Sequence, residues 1–237
     1  VIYAEFERRV AALAQFRVED PARPELSRED EHHLRKVLRA DVGEEVVATD
    51  GRGRWSICEV LDGALARVSD VQSDPPAPET TLYLTPLKGD RAEWAVAKAT
   101  EVGVSRIVPL IAARMTVKFK GDAREKTLSR WRRIAEEAAG QCRRTYDVVI
   151  GDPVKVANVH PLVAVADLGA TGNWAGLRSV AVGPEGGWAN DEWDLGRRRV
   201  GLGPTVLRAE TAGVVAASLL AFQAGGWGFT FDGTRNE

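Results

Sequence analysis

The chain reads as an α/β protein in two parts: a small β-barrel with one helix over residues 1–72, then a parallel sheet flanked by helices over 73–237. Three observations predict this. Residues 45–71 hold short alternating runs separated by Asp50-Gly51 with Gly53 and by Asp62-Gly63, which is hairpin chemistry. Pro75, Pro76 and Pro78 make residues 72–79 a linker, because proline continues neither a ladder nor a helix. From Thr81 onward strand-like runs alternate with helical periods, the βαβ order that calls for a parallel sheet with helices on both faces.

Taken in order, Ser27-Arg28-Glu29-Asp30 has the form of a capping box and opens a helix through His33 and Val37 to Ala40. Strands follow at 45–49, 55–60 and 65–71. In the second part 81–87 alternates as a strand, and Asp90 caps a helix with Ala92, Ala95, Val96, Ala99 and Val102 on one face. Gly103 ends that helix. After a strand at 106–111, residues 122–141 form a long amphipathic helix with Leu128, Trp131, Ala135 and Ala138 facing inward. Further strands are predicted at 162–166, 179–182 and 200–202. Residues 208–222 form a helix apolar almost all round, through Val214, Val215, Leu219 and Phe222, which predicts burial.

A hydrophobic content of 44% over 237 residues is ample for a packed core. The formal charge of −2 suggests no particular partner, but its distribution does. Residues 112–144 carry 10 Lys and Arg against 4 Asp and Glu, whereas residues 1–73 carry 11 against 15. One basic segment on an acidic background points to a polyanion contact, and Lys118, Lys120, Arg132, Arg133, Arg143 and Arg144 are its candidates. An exposed, solvated helix face is the plainer alternative for the same cations.

Cys58 and Cys142 lie far apart with no His or Cys at metal-ligand spacing, which predicts reduced thiols in a cytoplasmic protein. The longest apolar stretch, 212–222, is far shorter than the ~20 residues that cross a bilayer. Adjacent helical residues such as His32 and His33 point about 100° apart and suit no shared ion, so no metal is expected. One ring is expected to pack inward and the other to face solvent or nucleic acid beside Arg35, Lys36 and Arg39. No G-x-G-x-x-G or G-x-x-x-x-G-K follows a predicted strand, which argues against NAD, FAD and ATP. With only His32, His33 and His160 as imidazole bases, hydrolase chemistry is poorly supported.

Two loops concentrate the remaining chemistry: Gly183-Pro184-Glu185-Gly186-Gly187-Trp188 and Leu202-Gly203-Pro204-Thr205-Val206-Leu207-Arg208-Ala209-Glu210-Thr211-Ala212. Each follows an apolar run and precedes a helix-like segment, so both should lie at carboxyl ends of neighbouring strands, where open α/β sheets bind ligands. Their glycines let the backbone approach a flat polar molecule with its amides free.

Together with Lys88-Gly89-Asp90-Arg91-Ala92-Glu93-Trp94, Lys98-Ala99-Thr100-Glu101-Val102-Gly103 and His32-His33-Leu34-Arg35-Lys36-Val37-Leu38-Arg39, these loops resemble the knotted SPOUT methyltransferases. The likeness is strongest to the uridine-N3 methyltransferases of 16S ribosomal RNA, the RsmE family. It covers residues 26–223 and does not extend over the first 25. It implies a PUA-like RNA-binding barrel, a trefoil-knot domain, S-adenosylmethionine as cofactor, 16S rRNA or the small ribosomal subunit as partner, and a homodimer interface on helix 208–222. No membrane partner is implied.

The resemblance also places roles by position. Cofactor contacts fall on Asp167, Leu168, Gly169, Gly183, Pro184, Glu185, Gly186, Gly187, Leu202, Gly203, Leu207, Arg208, Thr211 and Ala212. RNA contacts fall on Arg35, Lys36, Arg39, Lys88, Arg91 and the basic segment named above. Uridine N3 carries a weakly acidic proton that Glu185 or Glu210 would accept, while Arg208 steadies charge on the ring carbonyls. Both acids also read as helix-start residues favoured by the helix dipole, so catalytic and structural roles stay open. Two rival functions stand beside this one: ribose 2'-O-methylation by another SPOUT enzyme, and a catalytically silent RNA-binding assembly factor.

Overall fold

The computed structural model describes residues 2–62, 64–76, 78–193 and 196–225. It divides into two compact units, Val1–Pro76 with Glu136–Asp147, and Ala77–Ala135 with Val148–Glu237.

The first unit opens with elements the sequence did not announce. Helix α1 (Ile2–Ala11) has no Gly or Pro to break it, and Arg8 joins its own turn to the sheet by pairing with Glu5 at 3.2 Å and Glu45 at 2.6 Å. Strand β1 (Gln15–Arg17) lies parallel to β2 (Glu45–Thr49), with Phe16 opposite Ala48. Strand β3 (Arg54–Val60) runs antiparallel to β2. The strand expected at 65–71 ends early, as β4 (Leu65–Arg67), and a second strand, β5 (Gln72–Ser73), forms where the linker was expected; each pairs with part of β3. Between them the amides of Val68 and Ser69 both donate to the Ile57 carbonyl, and the Ser69 hydroxyl accepts from the Ile57 amide at 2.9 Å. This two-against-one pairing is a bulge, which interrupts the ladder and bends the strand.

Period-2 alternation sends Val46, Ala48, Cys58 and Val60 to a core with Phe16 and Leu34, and sends Val47, Trp55 and Ile57 to the opposite face with Ala12. Both faces are thus buried. Burial also raises the Cys58 thiol pKa, which keeps it inert. No disulfide joins Cys58 and Cys142.

Ser27 caps as expected, its hydroxyl accepting from the Asp30 amide at 3.1 Å. The helix it opens is different from the one predicted. Only α2 (Arg28–His32) is α-helical; residues His33–Leu38 form a π-helical turn that ends at Arg39, where φ is 54°. His32 and His33 are both exposed, so neither ring packs inward; Leu34 is the residue this segment buries.

The expected linker begins as strand β5 and is fastened at Asp74. That carboxylate accepts from Arg9 at 2.5 Å, from the Trp55 indole at 3.0 Å and from the Thr145 hydroxyl at 2.7 Å, while the Tyr146 hydroxyl donates to the Asp74 carbonyl. Burial alone would raise its pKa. The hydrogen bonds from Thr145, Arg9 and Trp55, with the Arg9 charge, outweigh burial and hold Asp74 below the ordinary carboxylate range.

The second unit is a parallel sheet. Its strands are β6 (Thr81–Leu84), β7 (Arg106–Ile111), β8 (Val149–Ile150), β9 (Val154–Lys155), β10 (Ala164–Ala166), β11 (Ser179–Val182) and β12 (Arg199–Val200). They run in the order β12-β10-β11-β6-β7-β8, and β9 also pairs with β7. Helix α3 (Arg91–Glu101) begins without a side-chain cap from Asp90, and Gly103 follows it at φ 106°. Helix α4 (Gly121–Gln141) buries Leu128, Trp131, Ala135 and Ala138 as its period predicts.

Leu82, Leu84, Val180 and Val182 project into one large core with residues of α3, of α4 and of α5 (Ala209–Gln223). Val165, Ala181 and Leu110 face the other way, where a 3-10 turn (Val156–Asn158), Val163 and Trp193 cover them. Helices were expected on both faces of the sheet. Among the described residues the second face is covered by the 3-10 turn with Val163 and Trp193 and not by an α-helix.

Helix α5 buries its small residues, Ala209, Gly213, Ala216, Ala217 and Ala221, with Leu220. Val214, Val215, Leu219 and Phe222, expected inside, are only half-buried. The close approach of α5 to the sheet explains this: a Cβ at Gly213 would stand 3.0 Å from Leu84, so the narrow side of the helix faces the core; of the four larger residues Val214 still packs against it from the flank.

Candidate cofactor and RNA site

Three loops leave the carboxyl ends of adjacent strands. After β10 come Asp167, Leu168 and Gly169; after β11 come residues 183–188; after β12 come residues 201–208. The sheet order makes β10 the neighbour of both β11 and β12, which gathers at one sheet edge residues up to about forty positions apart in sequence.

Asp167 accepts from Arg199 at 2.5 Å, and its amide donates to the Val200 carbonyl at 3.0 Å, fixing the first loop to β12. Gly183 sits beneath the Trp188 ring, which a Cβ would meet at 2.9 Å, and the Trp188 indole donates to the Ala166 carbonyl at 2.9 Å. Trp193 meets that ring edge-on, with centroids 5.0 Å apart. Trp188 thereby ties the second loop to the end of β10. The Gly187 amide closes a turn on the Pro184 carbonyl at 2.9 Å.

The glycines matter most where φ is positive and nothing fills the space a side chain would take. Gly187 at φ 67° and Gly203 at φ 126° both meet this description, since a Cβ on either would touch nothing within 4 Å. Leu168 and Val206 are 70% and 81% exposed, large apolar side chains held at the rim of these loops. Arg208 is exposed at the start of α5, Thr211 and Ala212 lie half-buried in its first turn, and Leu202 and Leu207 are half-buried.

The two candidate acids part company. Glu185 lies in a turn and forms an ion pair with Arg91; the helix expected after Trp188 is not present among the described residues, where 190–193 are turn and bend. Glu210 does begin a helix, and its Oε2 is buried with no hydrogen-bond partner. An orphaned carboxylate oxygen in the helix that the third loop leads into, together with open, positive-φ glycines in the loops, fits a site that receives polar groups of a small molecule.

The candidate RNA residues are dispersed. Lys36, Arg39, Lys88, Lys118, Lys120, Arg132 and Arg133 are exposed. Arg35 pairs with Glu31 and Asp62, both at 3.5 Å, and Arg91 is taken by Glu185. Arg143 and Arg144 are half-buried instead of outward-facing: Arg143, at φ 60°, donates to the carbonyls of Gly140 and Ala12, and Arg144 donates to that of Tyr146. Burial lowers the pKa of both guanidinium groups. These two fasten the end of α4, a role their charge alone did not signal. Among the described residues no His, Cys, Asp and Glu group could hold a metal ion, and no helix is long and apolar enough to cross a membrane.

A parallel sheet with glycine loops gathered at one end, following a small β-domain, is the architecture of a two-domain RNA methyltransferase, and the family models assign that class. Residues 74–221 match the RNA methyltransferase domain model and residues 26–64 the RNA methyltransferase PUA domain model. The chain belongs to the ribosomal RNA small subunit methyltransferase E family. It is 35% identical to the protein of that name from Mycobacterium bovis, covering 82% of this chain and 84% of the relative. The Bacillus subtilis relative is 26% identical, covering 89% and 94%. A putative methyltransferase of Legionella pneumophila, solved with SAM bound, superposes with a TM-score of 0.76 at 27% identity, covering 88% and 96%.

Proposed function

We propose that this protein is an S-adenosylmethionine-dependent enzyme that methylates N3 of a uridine in 16S rRNA, acting as a homodimer. The observation that carries the reading is the set of three loops at one end of β10, β11 and β12, with open positive-φ glycines and the unpartnered Oε2 of Glu210. A relative solved with SAM bound supports the choice of cofactor. The strand order, in which β12 returns beyond β10, supports a threaded chain of trefoil type.

When bound, S-adenosylmethionine supplies a methyl group already activated on a sulfonium, so the protein need only place an anionic acceptor in line with it. Residues 167–169, 183–187 and 202–212 would hold it. The uridine must be unpaired before its N3 can be reached. Glu185 is engaged by Arg91, which leaves Glu210 as the carboxylate free to accept the N3 proton. Arg208, exposed at the head of α5, steadies the charge that develops on the ring carbonyls.

The half-buried Val215, Leu219 and Phe222 lie on the side of α5 opposite its buried stripe, while Val214 packs against the core; that outer side supports a two-fold interface there. An unpaired charge buried there costs several kcal/mol, so Val215→Asp should give monomers in sedimentation. A folded, active Val215→Asp dimer would remove α5 from the interface.

The decisive experiment combines calorimetry of S-adenosylmethionine binding with mass spectrometry of nucleosides from 16S rRNA methylated in vitro. Methylation on the ribose 2'-oxygen would overturn the N3 assignment. Absence of cofactor binding would favour a silent RNA-binding factor.

A further inference from the structure

Residues 183–188 are gripped from outside by two arginines that come from different parts of the chain. Arg91, the first residue of α3, pairs with Glu185, and Arg114, in the loop after β7, donates its Nη1–H to the Gly186 carbonyl at 3.3 Å. The fit at Gly186 is close, because a Cβ there would stand 3.3 Å from both the Cβ and the carbonyl oxygen of Arg114. Glu192 closes the same junction: its carboxylate accepts from the amides of Ala113 and Ala189. The outer side of this loop is Glu185, Gly186 and Gly187, all exposed, so it has little side-chain packing of its own to fix it.

We propose that Arg91 and Arg114 are positioning residues of the cofactor loop, holding its carboxylate and its backbone in the geometry that receives S-adenosylmethionine. This rests on the reading of residues 183–188 as a cofactor loop. A loop held in its bound shape spends less conformational entropy on binding, and removal of either tether is felt as weaker affinity. Both arginines are exposed, so each contributes modestly. Arg91 therefore serves the cofactor side instead of the RNA phosphates. Arg114 carries no motif of its own; its role comes from the register that brings the β7 loop against β11's.

The test measures two affinities on the full chain, S-adenosylmethionine by calorimetry and a 16S rRNA fragment by filter binding. Arg91→Ala and Arg114→Ala should each raise the cofactor Kd by about threefold to tenfold and leave the RNA Kd within about twofold. Arg91→Lys should recover most of the loss, and Arg91→Ala added to Glu185→Ala should weaken cofactor binding no further. Unchanged cofactor affinity with weakened RNA binding would overturn the proposal and return both arginines to phosphate contacts. No cofactor binding by the unaltered protein would reject the functional reading itself.

Discussion

The glycine loops beyond β10, β11 and β12 and the cluster around Asp74 are both dense in polar groups, yet they are built in opposite ways. Around Asp74 the acceptors are answered: Arg9, Trp55 and Thr145 donate to the carboxylate and Tyr146 to the carbonyl, although Arg9 Nε is itself buried without a hydrogen-bond partner. At the loops groups are left over, with Glu210 Oε2 buried and unpartnered and glycines open at Gly187 and Gly203. A satisfied network rigidifies, and an unsatisfied one awaits a partner. The state of the carboxylate, satisfied at Asp74 and left over at Glu210, separates a structural polar cluster from a binding site better than polarity itself does.

The sharpest way to break that contrast is Gly203→Val. A β-branched residue at φ 126° carries backbone strain of about 1–3 kcal/mol, though its side chain meets open space. The loop should relax away from this conformation, weakening S-adenosylmethionine binding by roughly tenfold to a hundredfold with only a few degrees lost in Tm. Calorimetry beside a thermal melt checks it, and unchanged affinity would show that the open glycines are not a cradle.

Asp74→Asn probes the other region, and should act on stability alone. It removes the charge that answers Arg9, a side chain only 11% exposed, at a cost of about 2 kcal/mol near neutral pH. The Asp74 pKa is depressed in the folded protein, so its contribution is fully present above the ordinary carboxylate pKa of about 3.9 and is lost as pH falls through the lower folded value. Melts from pH 7 down to pH 3 should therefore show the wild type and the variant converging in acid. A constant gap would mean that the carboxylate charge is not what stabilises the cluster.

The smallest effect is expected where exposed side chains face outward. Lys120→Ala with Arg132→Ala removes two exposed cations and opens no cavity. For each phosphate that is no longer neutralised, the salt slope of RNA binding should flatten by about 0.7–0.9, with cofactor affinity and Tm unchanged. RNA titrations at several salt concentrations decide it; an unchanged slope would make these cations a solvated face.

Local signals in the sequence determined much of this molecule. The alternation of 45–49 and 54–60, the apolar stripe of Leu128, Trp131 and Ala135, the Ser27 cap and the glycines of the two loops are properties of adjacent residues, so period and side-chain chemistry sufficed to read them. Tertiary structure alone decided which charges are free. Arg91, Arg143 and Arg144 look like the neighbouring cations in sequence, but one faces a carboxylate 94 residues away and Arg143 reaches a carbonyl 131 residues away. The same holds for β1, whose three residues carry too little pattern to announce a strand and exist as one because β2 offers its edge. It holds too for the parting of Glu185 from Glu210, because whether a carboxylate is paired depends on a partner that arrives through the fold of the sheet.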